Sequence, residues 1–157
     1  MASSLGSAPV PSEYETRTLA QLRAHGFRIT MPRLAVIRVL ATSGGALSAY
    51  AIHERVGQQG GRVDVVTVYR ILDTLLEIHA VHHIGALAGY IACRLPAEHE
   101  GQMEHAICTT CGRVDEVCVS DTLRDAATAP AAEHGFRPDR LTIEVLGQCV
   151  DCQTKRP

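Results

Sequence analysis

Apolar residues recur at helical spacing in four segments of the first half of the chain, and residues that favour helix starts precede them. We predict a first helix over 13–25 and a second that begins after Thr30 with a proline in its first turn. Ser48 is the predicted cap of a third helix, and either Asp64 or Thr67 opens a longer fourth helix. Three short helices followed by a longer one indicate a helix-turn-helix head.

The pattern changes after His79 from helical spacing to short runs typical of strands. Residues 80–95 predict two strands around a glycine-containing turn, as in the hairpin of a wing. Three further strands are predicted at 105–108, 113–119 and 140–149, with a helix at 121–136. The predicted fold class is therefore α+β. We divide the chain into an arm (1–12), a winged-helix head (13–92), a connection (93–105) and a tail (106–157).

The composition gives no sign of a membrane or secreted protein. No apolar run is long enough to span a bilayer, and residues 1–12 lack the basic and apolar blocks of a signal peptide. We therefore expect a cytoplasmic protein with no membrane partner. Six cysteines in that compartment stay reduced, so clustered cysteines indicate metal or redox chemistry before structural disulfides.

Charge is distributed unevenly along the chain, although the net charge is only -2. Residues 17–70 contain eight arginines against Glu54 and Asp64, so this segment carries +6 and the remainder -8. Affinity for nucleic acid depends on such local fields more than on the total charge. A basic head suits double-stranded DNA as a partner, and an acidic tail suits cations.

Two Cys-x-x-Cys pairs stand in the tail, Cys108 with Cys111 and Cys149 with Cys152. Two intervening residues let both thiolates of a pair face one tetrahedral ion at about 2.3 Å. Four thiolates fill the coordination shell, so the predicted occupant is a structural zinc ion. The alternative is two independent redox or buried pairs, and the identical spacing of the two pairs favours zinc.

The basic head, the Thr-Val-Tyr-Arg run at 67–70 and the paired cysteines together resemble the ferric uptake regulator family over about 26–152. The Ser-Ala-Tyr run at 48–50 and Cys93 are most similar to members of this family that regulate zinc uptake. The resemblance implies a winged-helix head, a hinge, an α/β dimerisation domain, a homodimer and metal-dependent binding to inverted-repeat operators. One departure is His79, which stands where a glycine is usual, although histidine tolerates a left-handed backbone.

The resemblance also implies a second, regulatory zinc site. His82, Cys93 and Glu116 match ligand positions of the zinc regulators, counted from the first cysteine pair. For the fourth ligand we favour His99, with His105 as the alternative, and either histidine can instead be a solvated surface residue. A thiolate, two imidazoles and a carboxylate suit tetrahedral zinc better than iron. We therefore expect two zinc ions per subunit.

The fourth helix is expected to read DNA in the major groove. Arg70 can donate two hydrogen bonds to guanine, and the Tyr69 ring can pack against a thymine methyl group. The resemblance implies Tyr50 as a second base reader, with core packing as its alternative role. The residues expected to contact phosphates, which position the protein without reading sequence, are Arg28, Arg33 and Thr67.

The expected function is a zinc-responsive transcriptional repressor that binds operators of zinc-uptake genes as a dimer. An iron or peroxide sensor of the same family is the alternative, which Cys93 disfavours. We do not expect an enzyme, because four thiolates close the first metal site and no nucleophile stands with a base and an orienting group. Cys118 is expected to be a buried strand residue and not a ligand.

Overall fold

A computed structural model describes residues 12–94, 104–117, 119–139 and 141–154 of the chain. The first half contains four helices, α1 (Glu13–Ala24), α2 (Met31–Thr42), α3 (Ala49–Gln58) and α4 (Val65–Glu77). Each begins after a residue whose side chain accepts the backbone N–H three positions on, namely Ser12, Thr30, Ser48 and Asp64. The four predicted helices are confirmed, and α4 starts after Asp64 and not at Thr67.

The helices pack around one apolar core to which every helix contributes. Helix α4 buries one face and leaves the opposite face, with Tyr69 and Arg70, exposed. Its buried residues are Val68, Ile71, Leu72 and Leu75. Burial of such a side chain contributes about 1.5–3 kcal/mol, so the core holds α4 in place while its other face stays available.

The wing consists of β1 (Val81–Ile84), a 3-10 turn (Gly85–Leu87) and β2 (Gly89–Ala92), with the strands antiparallel. His79 has φ 54° and turns the chain from α4 into β1, as expected for a histidine that replaces a glycine. Leu47 pairs with Tyr90 of β2 through two backbone hydrogen bonds of 2.8 and 2.9 Å. The wing is thereby fixed to the helical head at both ends.

The tail contains a three-stranded sheet of order β4-β3-β5, here called the tail sheet. Its elements are β3 (Glu104–Cys108), β4 (Val114–Val117) and β5 (Glu144–Gly147), with α5 (Asp121–Glu133) before β5. Strand β3 is antiparallel to β4 and parallel to β5. A short helix, α6 (Val150–Thr154), follows and was not predicted. The α+β class is confirmed.

The tail exposes apolar side chains that the single chain does not cover, since none of the described α5 residues is buried. The large exposed apolar side chains of the tail are Leu123, Phe136, Val145, Leu146 and Val150. Among the described helices, none is long and apolar enough to cross a membrane.

Candidate metal centres and DNA-reading surface

The four cysteines of the two pairs lie together at one end of the tail sheet. Cys108 ends β3, Cys111 lies in the turn that follows, Cys149 precedes α6 and Cys152 lies within it. Their sulfur atoms all lie within 4.8 Å of one another, and those of Cys111 and Cys149 are 3.7 Å apart. Zinc–sulfur bonds of about 2.3 Å in a tetrahedron require sulfurs about 3.8 Å apart. The cluster therefore fits a zinc ion.

The electrostatics of this cluster favour a bound cation. Backbone N–H groups, first that of Cys149 at 3.4 Å and then that of Cys111, lower the pKa of Cys108 to about 6. Hydrogen bonds with the neighbouring thiols, Cys149 first, raise the pKa of Cys152 to about 12. The Cys108 thiolate therefore forms readily in this cluster, whereas Cys152 favours the protonated thiol. A divalent ion would stabilise all four together.

A second donor cluster joins the wing to the tail sheet. His82 of β1, His105 of β3 and Glu116 of β4 each offer a ligand atom within 4.8 Å of the others. His105 and Glu116 are direct cross-strand neighbours, and the rings of His82 and His105 have centroids 5.1 Å apart. Two imidazoles and one carboxylate suit zinc.

His105 is 2% exposed, so the alternative of a solvated surface histidine is wrong for this residue. Neither ring nitrogen of His105 has a hydrogen-bond partner among the described residues. Buried imidazoles normally bond at least one nitrogen, so an ion is a natural partner here. Burial also lowers the pKa of His105, although the nearby Glu116 carboxylate acts in the opposite direction. The lowered pKa favours the neutral imidazole, which is the form that binds metal.

The other two predicted regulatory ligands, Cys93 and His99, are not part of this three-residue donor set. Cys93 is 2% exposed and is not a member of the three-residue donor set among the described residues. It nevertheless lies beside that set, because the next residue, Arg94, donates its backbone N–H to Glu116 Oε1 at 3.4 Å. His99 lies outside the described residues, as does Cys118.

The predicted DNA-reading residues lie on exposed surface of α3 and α4. Tyr50 is 64% exposed, so its alternative role in the core is wrong, and Tyr69 is 42% exposed beside the exposed Arg70. Thr67 is held at the start of α4 by Asp64, whose carboxylate accepts from the Thr67 N–H at 2.9 Å and hydroxyl at 2.6 Å. These side chains are available to a ligand that approaches the N-terminal half of α4.

The two arginines predicted to contact phosphates, Arg28 and Arg33, differ in how far other residues already engage their side chains. Arg28 is exposed, whereas the Arg33 guanidinium donates to the Arg28 carbonyl and lies 5.7 Å from the centre of the Phe27 ring. Arg33 is therefore already engaged in holding the turn between α1 and α2. The sequence did not single it out for that role, since the contact depends on how this turn folds.

Glu144 is a residue that the sequence analysis did not foresee. It begins β5 directly beside His105 in the parallel pairing of β3 and β5. Its carboxylate accepts hydrogen bonds from the backbone N–H groups of Gly85 (2.6 Å) and Ala86 (2.9 Å) in the wing turn. No local sequence motif predicts this contact, because Glu144 is 59 residues from Gly85 and 58 residues from Ala86 along the chain.

The chain is similar in sequence to known proteins. The ferric uptake regulator family model matches residues 24–146. The zinc uptake regulation protein of Escherichia coli strain K12 is 34% identical over 125 residues, which is 80% of this chain and 72% of that protein. The protein of the same name from Mycobacterium tuberculosis strain H37Rv is 31% identical over 133 residues, which is 85% of this chain and 100% of that protein.

Two solved structures are also similar. A zinc uptake regulator complexed with zinc and DNA has a TM-score of 0.81 at 28% identity, covering 92% of this chain and 97% of that one. Holo XcZur has a TM-score of 0.75 at 29% identity, covering 89% of this chain and 99% of that one. With its winged head, its two donor clusters and this family match over most of its length, the chain belongs to the ferric uptake regulator family.

Proposed function

We propose that this protein is a zinc-responsive transcriptional repressor. It binds inverted-repeat operators of zinc-uptake genes as a dimer when its regulatory zinc site is filled. The observation that carries the proposal is the convergence of His82 from the wing with His105 and Glu116 from the tail sheet. An ion at this point links the part of the chain that contacts DNA to the part that binds metal.

The donor chemistry supports zinc over iron. The four-cysteine cluster offers soft ligands in a closed tetrahedron, and the second cluster offers imidazoles and a carboxylate, with a buried thiol at Cys93 next to it. We infer two zinc ions per subunit, one structural and one regulatory. Relatives that are at least 30% identical and named for zinc uptake regulation support the same choice.

The exposed apolar side chains of α5, of β5 and of the segment between them support a dimer. Side chains such as Phe136 and Leu146 are 72% and 56% exposed in the single chain, and their burial against a second copy would be favourable. A two-fold symmetric dimer presents two α4 helices, and an inverted repeat offers two equivalent half-sites.

The switch works through differential affinity. Zinc that bridges the wing and the tail sheet binds the closed arrangement of the chain better than an open one, and so increases the closed population. The closed arrangement fixes where Tyr50, Tyr69 and Arg70 stand relative to the dimer axis. High zinc then gives repression, and low zinc releases the DNA.

The test uses the full chain and DNA selected from a random duplex pool in the presence of zinc. We expect inverted-repeat sequences to be selected, and their binding, followed by fluorescence anisotropy, to require zinc beyond the structural ion. His105→Ala should lose this response, and Fe²⁺ should not replace zinc. Undiminished binding after removal of the second ion, or equal activation by Fe²⁺, would contradict the proposal.

A further inference from the structure

Three residues form a row across the tail sheet that faces the wing. His105 in the central strand is paired with Glu116 on one side and with Glu144 on the other. At one end of the row, Glu116 Oε1 lies 3.9 Å from His82 Nε2 of the wing. At the other end, Glu144 contacts the turn of the wing. Among the described residues, the wing therefore contacts the tail sheet through the donor cluster and, separately, through Glu144.

The contact made by Glu144 is specific in geometry and charge. Each carboxylate oxygen accepts one backbone N–H, Oε1 from Gly85 at 2.6 Å and Oε2 from Ala86 at 2.9 Å. Hydrogen bonds to an ionised acceptor are about twice as strong as neutral ones. A Cβ at residue 85 would lie 3.4 Å from Oε1, an ordinary van der Waals distance, so the contact rests on the two backbone N–H groups and not on the absence of a side chain at Gly85.

We propose that Glu144 is a positioning residue that holds the wing in the metal-binding arrangement and thereby sets the zinc affinity of the second site. This inference rests on the proposed regulatory site. The Glu144 contact forms only when the wing lies on the tail sheet, which is also the arrangement that brings His82 to His105. Apparent affinity falls in proportion to the population of the competent arrangement.

The four-cysteine site provides an internal reference for this inference. All four of its ligands belong to the tail, so its assembly does not depend on where the wing lies. Loss of Glu144 should weaken the second site and leave the first unchanged. A general loss of folding would weaken both sites.

The experiment compares wild type with Glu144→Gln in the full chain. Glutamine keeps the size of the side chain but places an NH₂ group against one of the two backbone donors, so the two-point contact is broken. Glu133→Gln, which removes the same charge from an exposed position of α5, is the control. Zinc affinities are measured by competition with a chelator, and Co²⁺ spectra distinguish a four-sulfur site from a site with nitrogen and oxygen ligands.

We expect Glu144→Gln to weaken the second site by about tenfold, the range of a lost charge-assisted contact, with the four-cysteine site unchanged. Amide hydrogen exchange at Gly85 and Ala86 should accelerate in the zinc-free variant. Glu144→Ala has no side-chain oxygen to accept either hydrogen bond, so it should show the same effects as Glu144→Gln.

Unchanged second-site affinity together with unchanged exchange at these two amides would overturn the inference, as would an equal loss at both metal sites. Neither readout uses DNA. If the proposed repressor function failed, DNA binding would be independent of zinc while these two measurements could still give the expected result.

Discussion

The His82 ring and the Glu116 carboxylate meet across the boundary between wing and tail sheet, with Nε2 and Oε1 3.9 Å apart. Two ligands at about 2.0 Å from a tetrahedral ion are about 3.3 Å apart, so a small shift brings this pair to one zinc ion. The pair joins β1 of the head to β4 of the tail. If zinc binds here as proposed, removal of either partner should separate metal binding from the position of the wing.

His105→Ala should reduce bound zinc from two ions per subunit to one. The imidazole is buried beside His82 and Glu116, and alanine leaves two donors of this three-residue set, too few to hold the ion against dialysis. Zinc content after gel filtration, measured by atomic emission, checks this. His134→Ala, at the exposed C-terminal cap of α5, should retain both ions. Two ions in the His105 variant would show that the second site lies elsewhere.

Cys111→Ser should remove the structural zinc and lower the melting temperature by about 10 °C or more. The ion would join the end of β3 to the segment after β5, and structural zinc sites contribute directly to folding. Thr110→Ser, in the same turn, is the matched control. Thermal unfolding followed by circular dichroism measures the effect. A melting temperature like that of wild type in the zinc-free serine variant would contradict a structural role.

Arg70→Ala should weaken specific binding by about 1–3 kcal/mol and relax base preference at one position of each half-site. Its side chain projects from the exposed face of α4, opposite the buried Leu72. The variant should keep its melting temperature, since the core is untouched. Arg23→Ala, on the exposed surface of α1, should change affinity little. Competition among single-base variants of the selected DNA is the measurement, and retained preference at every position contradicts base reading.

Tyr14→Phe should change how stability depends on alkaline pH. The Tyr14 hydroxyl donates to the Ala80 carbonyl at 3.1 Å, and burial raises its pKa above the ordinary 10.0. The unfolded chain therefore loses this proton first, and the stabilisation present below pH 10 is lost as the pH rises further. The free energy of unfolding should fall more steeply above pH 10 in wild type than in the variant.

At pH 7 the Tyr14→Phe variant should be less stable by about 1 kcal/mol, the value of one hydrogen bond. Urea unfolding at pH 7 and at a series of alkaline values provides both numbers. Tyr50→Phe, which removes an exposed phenol, should follow the wild-type curve. If the free energy of unfolding fell equally steeply above pH 10 in wild type and in Tyr14→Phe, the buried phenol would not be responsible for the loss of stability at alkaline pH.

The helices could be predicted because their signals are local. Caps such as Thr30 and Asp64 act within three residues, and the apolar period of α4 is complete within the helix itself. Helix α6 was missed because five residues are too few to carry a period. It follows Cys149 and contains Cys152, so a zinc ion bound by the four cysteines would hold it in place.

The row across the tail sheet could not be predicted because it depends on register between distant strands. Strand β5 reaches its place beside β3 only after α5, and no local signal sets Glu144 opposite His105. The unknown register of the strands also affected the prediction of the fourth regulatory ligand, for which His99 was preferred to His105. Strand β3 begins at Glu104, within the predicted connection, and this start places His105 opposite Glu116. The preference for His99 stays a prediction.

Helix α4 passes into β1 through only three residues, with His79 in the left-handed conformation. Side chains alternate along a strand, so one extra residue in this junction would put Val81 where His82 stands and turn the imidazole away from the tail sheet. The length of the junction should therefore matter as much to metal binding at this site as the proposed ligands do. Natural variation here should take the form of replacements, while insertions and deletions collect elsewhere in the chain.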